Sequence, residues 1–450
     1  MITLERRGRD LARWAASDVG AKWAFRLMLV ITVVVFYIVG RHQWFTRDDW
    51  AFVLTRERIL QFHGWQDWLF LPQDGHWLTI PIVLYHWIQE LFGLTSYWPF
   101  LLPAMVAHVG AVLLARNVCR RLHVSAWTTT IVCSMLLVFG SGFDNIVFAI
   151  QVCYNLSLVC FLAQLLLVDH DGPVDWRDGV GSALGVLAML TSGFGPIFMV
   201  GVFALLFLRR RWLALAIAVV PQGLAYGWWL LIWAADPVAD RRPGDKALLP
   251  AYLARGVSAT FDGMLILPGL AGLAIVATVA MSLWTGLAWS ARSLMLSLWT
   301  TVIVMFVAIG WERIGFGVPS AASTRYVHVA AIVIAPAFAL TVDQLVKVSE
   351  RARWAARLVL LLAVGVNAGA LRSEGAHWAI ASRDEKDLFE LVAGSAEVAS
   401  AAPTQVLSER SPDVTVMLVP TLVADEAITP RQAVTDEERA RVRAALGLSP

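Results

Sequence analysis

Charge is scarce in this sequence. Only 16% of the 450 residues are Asp, Glu, Lys or Arg, against about 25% in ordinary soluble domains, while 58% are hydrophobic and the mean hydropathy is +0.64. That balance belongs to an integral membrane protein. The net charge of +2, with no basic arm to neutralise phosphates, excludes nucleic acid as a partner. Cysteine is equally sparse. Cys119, Cys133, Cys153 and Cys160 lie in or beside apolar segments without CxxC spacing, so neither a disulfide framework nor a zinc site is readable, and they read as small core residues. The chain also lacks a GxGxxG or P-loop phosphate cradle. No internal repeat and no matched pair of interrupted helices marks an inverted-repeat transporter.

What is present is a series of long apolar runs. A membrane helix needs about 20 mostly apolar residues, and about eleven candidates occur, at 23–40, 98–115, 125–141, 147–168, 179–192, 195–208, 212–234, 266–289, 293–311, 326–345 and 356–372. The first follows Arg6, Arg7, Arg9, Arg13 and Lys22 without a small-residue cleavage site, and is expected to be a retained signal anchor with its N-terminus inside. Basic residues then recur in alternate connections: Arg116, Arg120 and Arg121; Arg177; Arg209 to Arg211; Arg292; Lys347, Arg351, Arg353 and Arg357. These connections are assigned to the cytoplasm. The large, chemically varied loops therefore share the outer face, and residues 373–450 form a small extracytoplasmic tail. In that tail "DEKDLFELVAG" reads as an amphipathic helix, "DVTVMLVP" as a strand-like run and "TDEERARVRAALGL" as a final helix. The expected architecture is an all-α integral membrane domain over 1–372 with a small α/β tail.

The first outer loop, 41–97, far exceeds a helix hairpin. It is rich in Trp, and "TIPIVLYHWIQELFG" has the pattern of an interfacial helix. In it "TRDDWAFVLTRERIL" pairs Asp48 with Asp49 at a helix start, where a carboxylate is an ordinary cap. Neighbouring helix positions point about 100° apart, so one of the pair is expected to face a cavity and the other to cap the helix or hold a hydrogen-bond network. "LPQDGHWLTIP" adds Asp74 in a turn dipeptide and His76, which suits a phosphate or sugar hydroxyl or a purely structural role.

The order of one span, the aspartate pair in "TRDDWAF", then "DGHWLTIPIVLYHWIQELFGLTSYWPF" and an array of spans resembles the GT-C superfamily of membrane glycosyltransferases. The likeness is to the actinobacterial enzymes that build mannose or arabinose polymers from polyprenyl-phosphate sugars. It covers most of residues 20–345, in topology more than in sequence. It implies an inverting hexosyl- or pentosyltransferase at the outer face of the cytoplasmic membrane, with a polyprenyl-phosphate sugar donor and a glycolipid or glycan acceptor. It also implies a catalytic base at Asp48 or Asp49. The short tail departs from relatives with large outer carbohydrate-binding domains, which puts processive polymer building in question.

Such a transfer needs positive charge on the departing phosphate. "ASTRYVHVAA" offers Arg325 and Tyr326 at the outer start of a span, with His328 about one turn deeper; the competing role for Arg325 is a snorkelling helix end. "WERIGFG" adds Arg313 beside Glu312, a local ion pair or a second phosphate ligand, and "GFDN" adds Asp144, a helix cap or a sugar contact. "TSGFGP" reads as a tight outer turn. No further acidic cluster supports a divalent metal, so a reaction without metal or other cofactor is expected. A transporter or flippase of lipid-linked sugars is the alternative, but it would place ionisable groups at mid-membrane, whereas here they gather at one rim. A noncatalytic assembly subunit would not need Asp48.

Overall fold

The structure, a computed structural model, describes residues 14, 17–234, 244–265, 269–347 and 349–448. Arg6, Arg7, Arg9 and Arg13 of the expected anchor lie outside the described residues. Seven helices are long and apolar enough to cross a membrane: Asp18–Gly40, Trp98–Arg121, Ala149–Val168, Trp212–Ile232, Trp289–Phe316, Thr324–Leu345 and Glu350–Gly394. Lys246–Leu265 and Leu270–Leu283 meet at 104° and together satisfy the same test, and Ala126–Leu137 and Gly195–Leu208 are shorter apolar helices. The expectation of eleven spans is thus not confirmed. Several of the apolar runs counted for it form helices of 12 to 14 residues, about 18 to 21 Å long. The chain is a multi-pass membrane protein.

Burial sorts the helices. Thr324–Leu345 is the central one, enclosed along nearly its whole length. Asp18–Gly40 turns Trp23, Leu27, Val30 and Val33 outward, as a helix facing lipid does. Pro103, Pro221 and Pro336 sit inside long helices, which a membrane bundle tolerates because neighbouring groups re-satisfy the freed backbone. The four cysteines are buried and unpaired.

Trp98–Arg121 separates two chemically different ends, about 36 Å apart over its 24 residues. At its C-terminal end an ion-pair belt joins the connections: Arg121 with Asp169 at 3.0 Å, Arg209 with Asp169 at 2.5 Å and with Asp171 at 2.8 Å, and Arg211 with Asp178 at 3.1 Å. Asp175 and Asp178 also form a capping box for Trp176–Met189. His170, Asp175 and Asp178 approach one another closely, but their lone pairs are engaged by this cap and by Arg211.

At the other end lie the loop of residues 41–97 and the C-terminal segment. Residues 384–394 are not a separate amphipathic helix but the continuation of Glu350–Gly394, a single helix of 45 residues. The run "DVTVMLVP" is not a strand. Thr415 makes one isolated bridge to Val406, and Val416–Leu418 tightens into a 3₁₀ turn leading to helix Val419–Ala424, with Pro420 in its first turn, where a missing N–H costs nothing. Among the described residues there is no strand longer than such a bridge. The final helix, Asp436–Ala445, starts at the Thr435/Glu438 capping box. This segment shares one apolar core with the loop: Trp44, Phe45 and Trp50 pack with Phe389, Leu391 and Leu422, and Phe389 lies 6.0 Å from Trp44.

Candidate active site

The chain leaves Asp18–Gly40 and turns sharply at Arg47, whose φ of +52° puts a non-glycine residue in the left-handed region. Asp48, Asp49 and Trp50 follow, and the next turn is a π-helix, Ala51–Thr55, a form frequent at functional sites. Neither aspartate caps it, since no side chain bonds its first turn. The two carboxylates are sorted by burial. Asp48 is exposed, whereas Asp49 is fully enclosed.

Asp49 is held by donors from three segments. Tyr85, on helix Thr79–Phe92, donates to Oδ1 at 2.7 Å, Tyr97 to Oδ2 at 2.7 Å, and the Thr46 N–H to Oδ2 at 3.3 Å. Burial drives its pKa up to about 7 against the pull of these three donors. Burial and the adjacent Asp49 hold both tyrosine hydroxyls well above their usual pKa, so they remain protonated donors. With its lone pairs so occupied, Asp49 has little left for a substrate.

Asp48 keeps an open side but sits in a recess, and its pKa too is raised, first by burial and then by Asp74 and Asp413, while Arg325 and Arg47 draw it down. A carboxylate with a raised pKa is a better proton acceptor near neutrality. Arg325 is partly buried, with its guanidinium beside the Tyr154 hydroxyl and 5.9 Å from the Tyr326 ring centre. Asp144 belongs to the same group. Its Oδ2 accepts from the Thr324 hydroxyl at 2.5 Å, its Oδ1 is buried without a hydrogen-bond partner, and its charge reaches Arg47.

Next to this group opens a cavity of about 390 Å³, lined by Asp74, His76, Tyr154, Glu312, Arg313 and Tyr326 together with Phe194, Ile197, Tyr226, Leu230, Ala308 and Ile309. Helix Trp289–Arg313 brings Glu312 and Arg313 to the wall at its end and Ala308 and Ile309 about one turn back, so the wall changes from charged to apolar along one helix. His76 follows the Asp74–Gly75 turn, closed by the Gln73–His76 bridge. Its ring seats on Gly193 of "TSGFGP", where any Cβ would collide with Nδ1. Burial, ahead of the surrounding charges, lowers the His76 pKa, leaving a neutral imidazole better suited to a hydroxyl than to phosphate.

Of the residues singled out in sequence, His76, Arg313 and Tyr326 line the cavity, while Asp48, Arg325 and Asp144 are tied to this rim through their charges. Asp49 lies behind that rim. His328 is separate: it is fully buried, with Nε2 3.3 Å from His108 Nδ1, and Gly142 packs against its ring. Sequence reasoning missed Tyr85, Tyr97, Tyr154 and Arg47, and it missed the contribution of the C-terminal segment. There Ser411 Oγ accepts from the Arg47 N–H at 2.8 Å, and buried Glu385 accepts from the Thr46 hydroxyl at 2.7 Å. Trp378 carries the Arg47 guanidinium 4.5 Å from its ring centre. The arginine next to the aspartate pair was the one local signal available.

Fold and rim together define a helical membrane protein with an acid-and-arginine site at one end of its bundle. Among solved structures it is similar to the crystal structure of ArnT from Cupriavidus metallidurans bound to undecaprenyl phosphate, with a TM-score of 0.54 and 14% identity over 93% of this chain and 87% of that one. The two chains share a fold. No protein-family model and no curated protein sequence matches the chain.

Proposed function

We propose that the protein is a GT-C-type glycosyltransferase that moves a sugar from a polyprenyl-phosphate donor to a lipid- or glycan-linked acceptor at the outer face of the cytoplasmic membrane. In this reading the N-terminus is cytoplasmic, and the aspartate rim and C-terminal segment are extracytoplasmic. The observation that carries it is an accessible carboxylate, Asp48, within electrostatic reach of Arg325 and Arg47 and of Asp74 on the wall of a cavity that passes from charged to apolar. The fold shared with an undecaprenyl phosphate-bound structure supports the choice of lipid.

Asp48 takes the proton of the acceptor hydroxyl as that oxygen bonds to the anomeric carbon. The bond from that carbon to the phosphate oxygen breaks on the opposite face, its electron pair staying with the phosphate, so the anomeric configuration inverts. Arg325, with Arg47 and Arg313, receives the growing negative charge; guanidinium groups match phosphate oxygens in a bidentate fork. Neutral His76 and Tyr326 read sugar hydroxyls, and Asp144 holds the Arg325 helix start through Thr324. The isoprenoid lies along Ile197, Leu230 and Ile309. The scheme is written without a metal; Asp49, one of the carboxylates such an ion would draw on, is already engaged by three donors.

The test is transfer of radiolabelled sugar from a polyprenyl-phosphate donor to an acceptor glycolipid by purified protein. Asp48→Asn should lower the rate by about 100-fold or more, and Asp49→Asn should retain far more activity. Unchanged transfer in Asp48→Asn removes Asp48 as the base. Labelled lipid crossing vesicles without transfer favours the flippase reading.

A further inference from the structure

We propose that Asp49, Tyr85 and Tyr97, together with Ser411 and Glu385 of the C-terminal segment, are positioning residues that clamp the Arg47–Asp48 turn from two sides; this rests on the reading of Asp48 as the base.

The turn needs such a clamp. Arg47 occupies a left-handed conformation that side-chain-bearing residues disfavour and that persists only where the surroundings over-determine it. Within the loop, the Asp49 carboxylate gathers two tyrosine hydroxyls and the Thr46 N–H, so the residues before and after the turn are tied to one group. Tyr97 is doubly committed: while donating to Asp49 it accepts the Ala149 N–H at 2.8 Å. It thereby links the loop to the start of another helix. From the C-terminal segment, Ser411 holds the Arg47 N–H itself, Glu385 holds the Thr46 hydroxyl, and Asp413 accepts from Thr55 at 3.1 Å at the end of the π-helical turn. Tethers thus converge on residues 46–55 from parts of the chain as distant as 36, 48, 339 and 364 positions.

None of the clamp side chains lines the cavity; each acts by fixing where Asp48 and Arg47 point. A displacement of about 1 Å at a reacting group costs on the order of 100-fold in rate, so loosening the clamp should act on turnover and not on donor affinity. The C-terminal segment, short as it is, then serves as the second jaw of the site and not as a carbohydrate-binding appendage.

The experiment compares wild type, Tyr85→Phe/Tyr97→Phe, Tyr97→Phe, Ser411→Ala and Ser411→Thr in detergent micelles. Amide hydrogen exchange across residues 46–50, binding of undecaprenyl phosphate, and kcat and KM for transfer are measured. The tyrosine variants and Ser411→Ala should exchange about tenfold faster across this segment and lose about 10- to 100-fold in kcat. KM and lipid affinity should stay within about twofold, and Ser411→Thr, which keeps the hydroxyl, should restore both exchange and kcat. Should the double variant fail to fold, Tyr97→Phe and the Ser411 pair decide the question. Unchanged exchange, or a change in KM or lipid affinity without one in kcat, overturns the clamp. Because exchange is read without any sugar donor, a wild type that transfers no sugar sinks the glycosyltransferase reading while exchange still decides whether the clamp exists.

Discussion

Replacing Asp49 by Asn should remove a specific component of the protein's pH-dependent stability. The carboxyl has its pKa pushed from the ordinary 3.8 to about 7 by burial. The folded state therefore binds a proton that the unfolded state has already released over that window. For an acid raised in this way the stability term is fully present below the unfolded pKa and is lost as pH climbs through the folded one, the reverse of a salt-bridged carboxylate. With about 1.4 kcal/mol per pKa unit, the whole window amounts to about 4 kcal/mol, and about 2 kcal/mol of it falls between about pH 5 and pH 7. For a chain of this length that is about 2 °C of melting temperature. The assay is thermal unfolding in micelles from about pH 5 to pH 8.5, wild type against Asp49→Asn. Glu57 and Asp413, also raised first by burial, contribute alike to both proteins, so the difference between the two curves reports Asp49 together with its charge coupling to Asp48. It should grow with pH and level off above about pH 7. Parallel curves would show that the three donors offset burial in full and hold Asp49 ionised, and the raised pKa would be wrong.

Gly193→Ala should drive the His76 ring off its seat, because the new Cβ would meet Nδ1. The expected result is a KM raised about tenfold with a melting temperature close to wild type, measured by transfer kinetics and calorimetry. Gly140→Ala should be far more damaging, since its Cβ would strike the Asn367 and Leu371 backbone of the long helix, which has no flexible end to swing away; a loss of about 3 kcal/mol or more should appear as poor yield and early unfolding. Chelation of divalent ions should leave the transfer rate unchanged, and loss of activity on chelation, restored by added Mg²⁺ or Mn²⁺, would contradict the metal-free scheme.

The membrane character and the helix at Thr79–Phe92 were legible because each is a local pattern of hydropathy. The sorting of Asp48 from Asp49 was not. Their spacing says only that they diverge, and the outcome is decided by Tyr85 and Tyr97, which reach Asp49 from 36 and 48 residues away. His328 was drawn toward the site by its place near Arg325, but helical periodicity does not say which face meets the cavity, and the facing partner proved to be His108. The β-branched run at 413–420 reads as a strand on propensity, yet it lacks a neighbouring strand to pair with and Pro420 opens a helix instead. The charged second half of Glu350–Gly394 looks like a new element after a span, since composition changes at a helix's exit from lipid while its backbone hydrogen bonds simply continue.

That uninterrupted helix is about 68 Å long, more than twice the hydrocarbon thickness of a bilayer, about 30 Å. It is a stiff lever with one arm in lipid and the other gripping the acid turn through the carbonyl of Gly375, Trp378 and Glu385. A tilt of about 5° over the roughly 33 Å from Ala363 to Glu385 would swing the grip by about 3 Å, more than enough to misalign a proton acceptor. Whatever tilts this helix against its packed neighbours, hydrophobic mismatch included, would therefore be felt at the Asp48 turn.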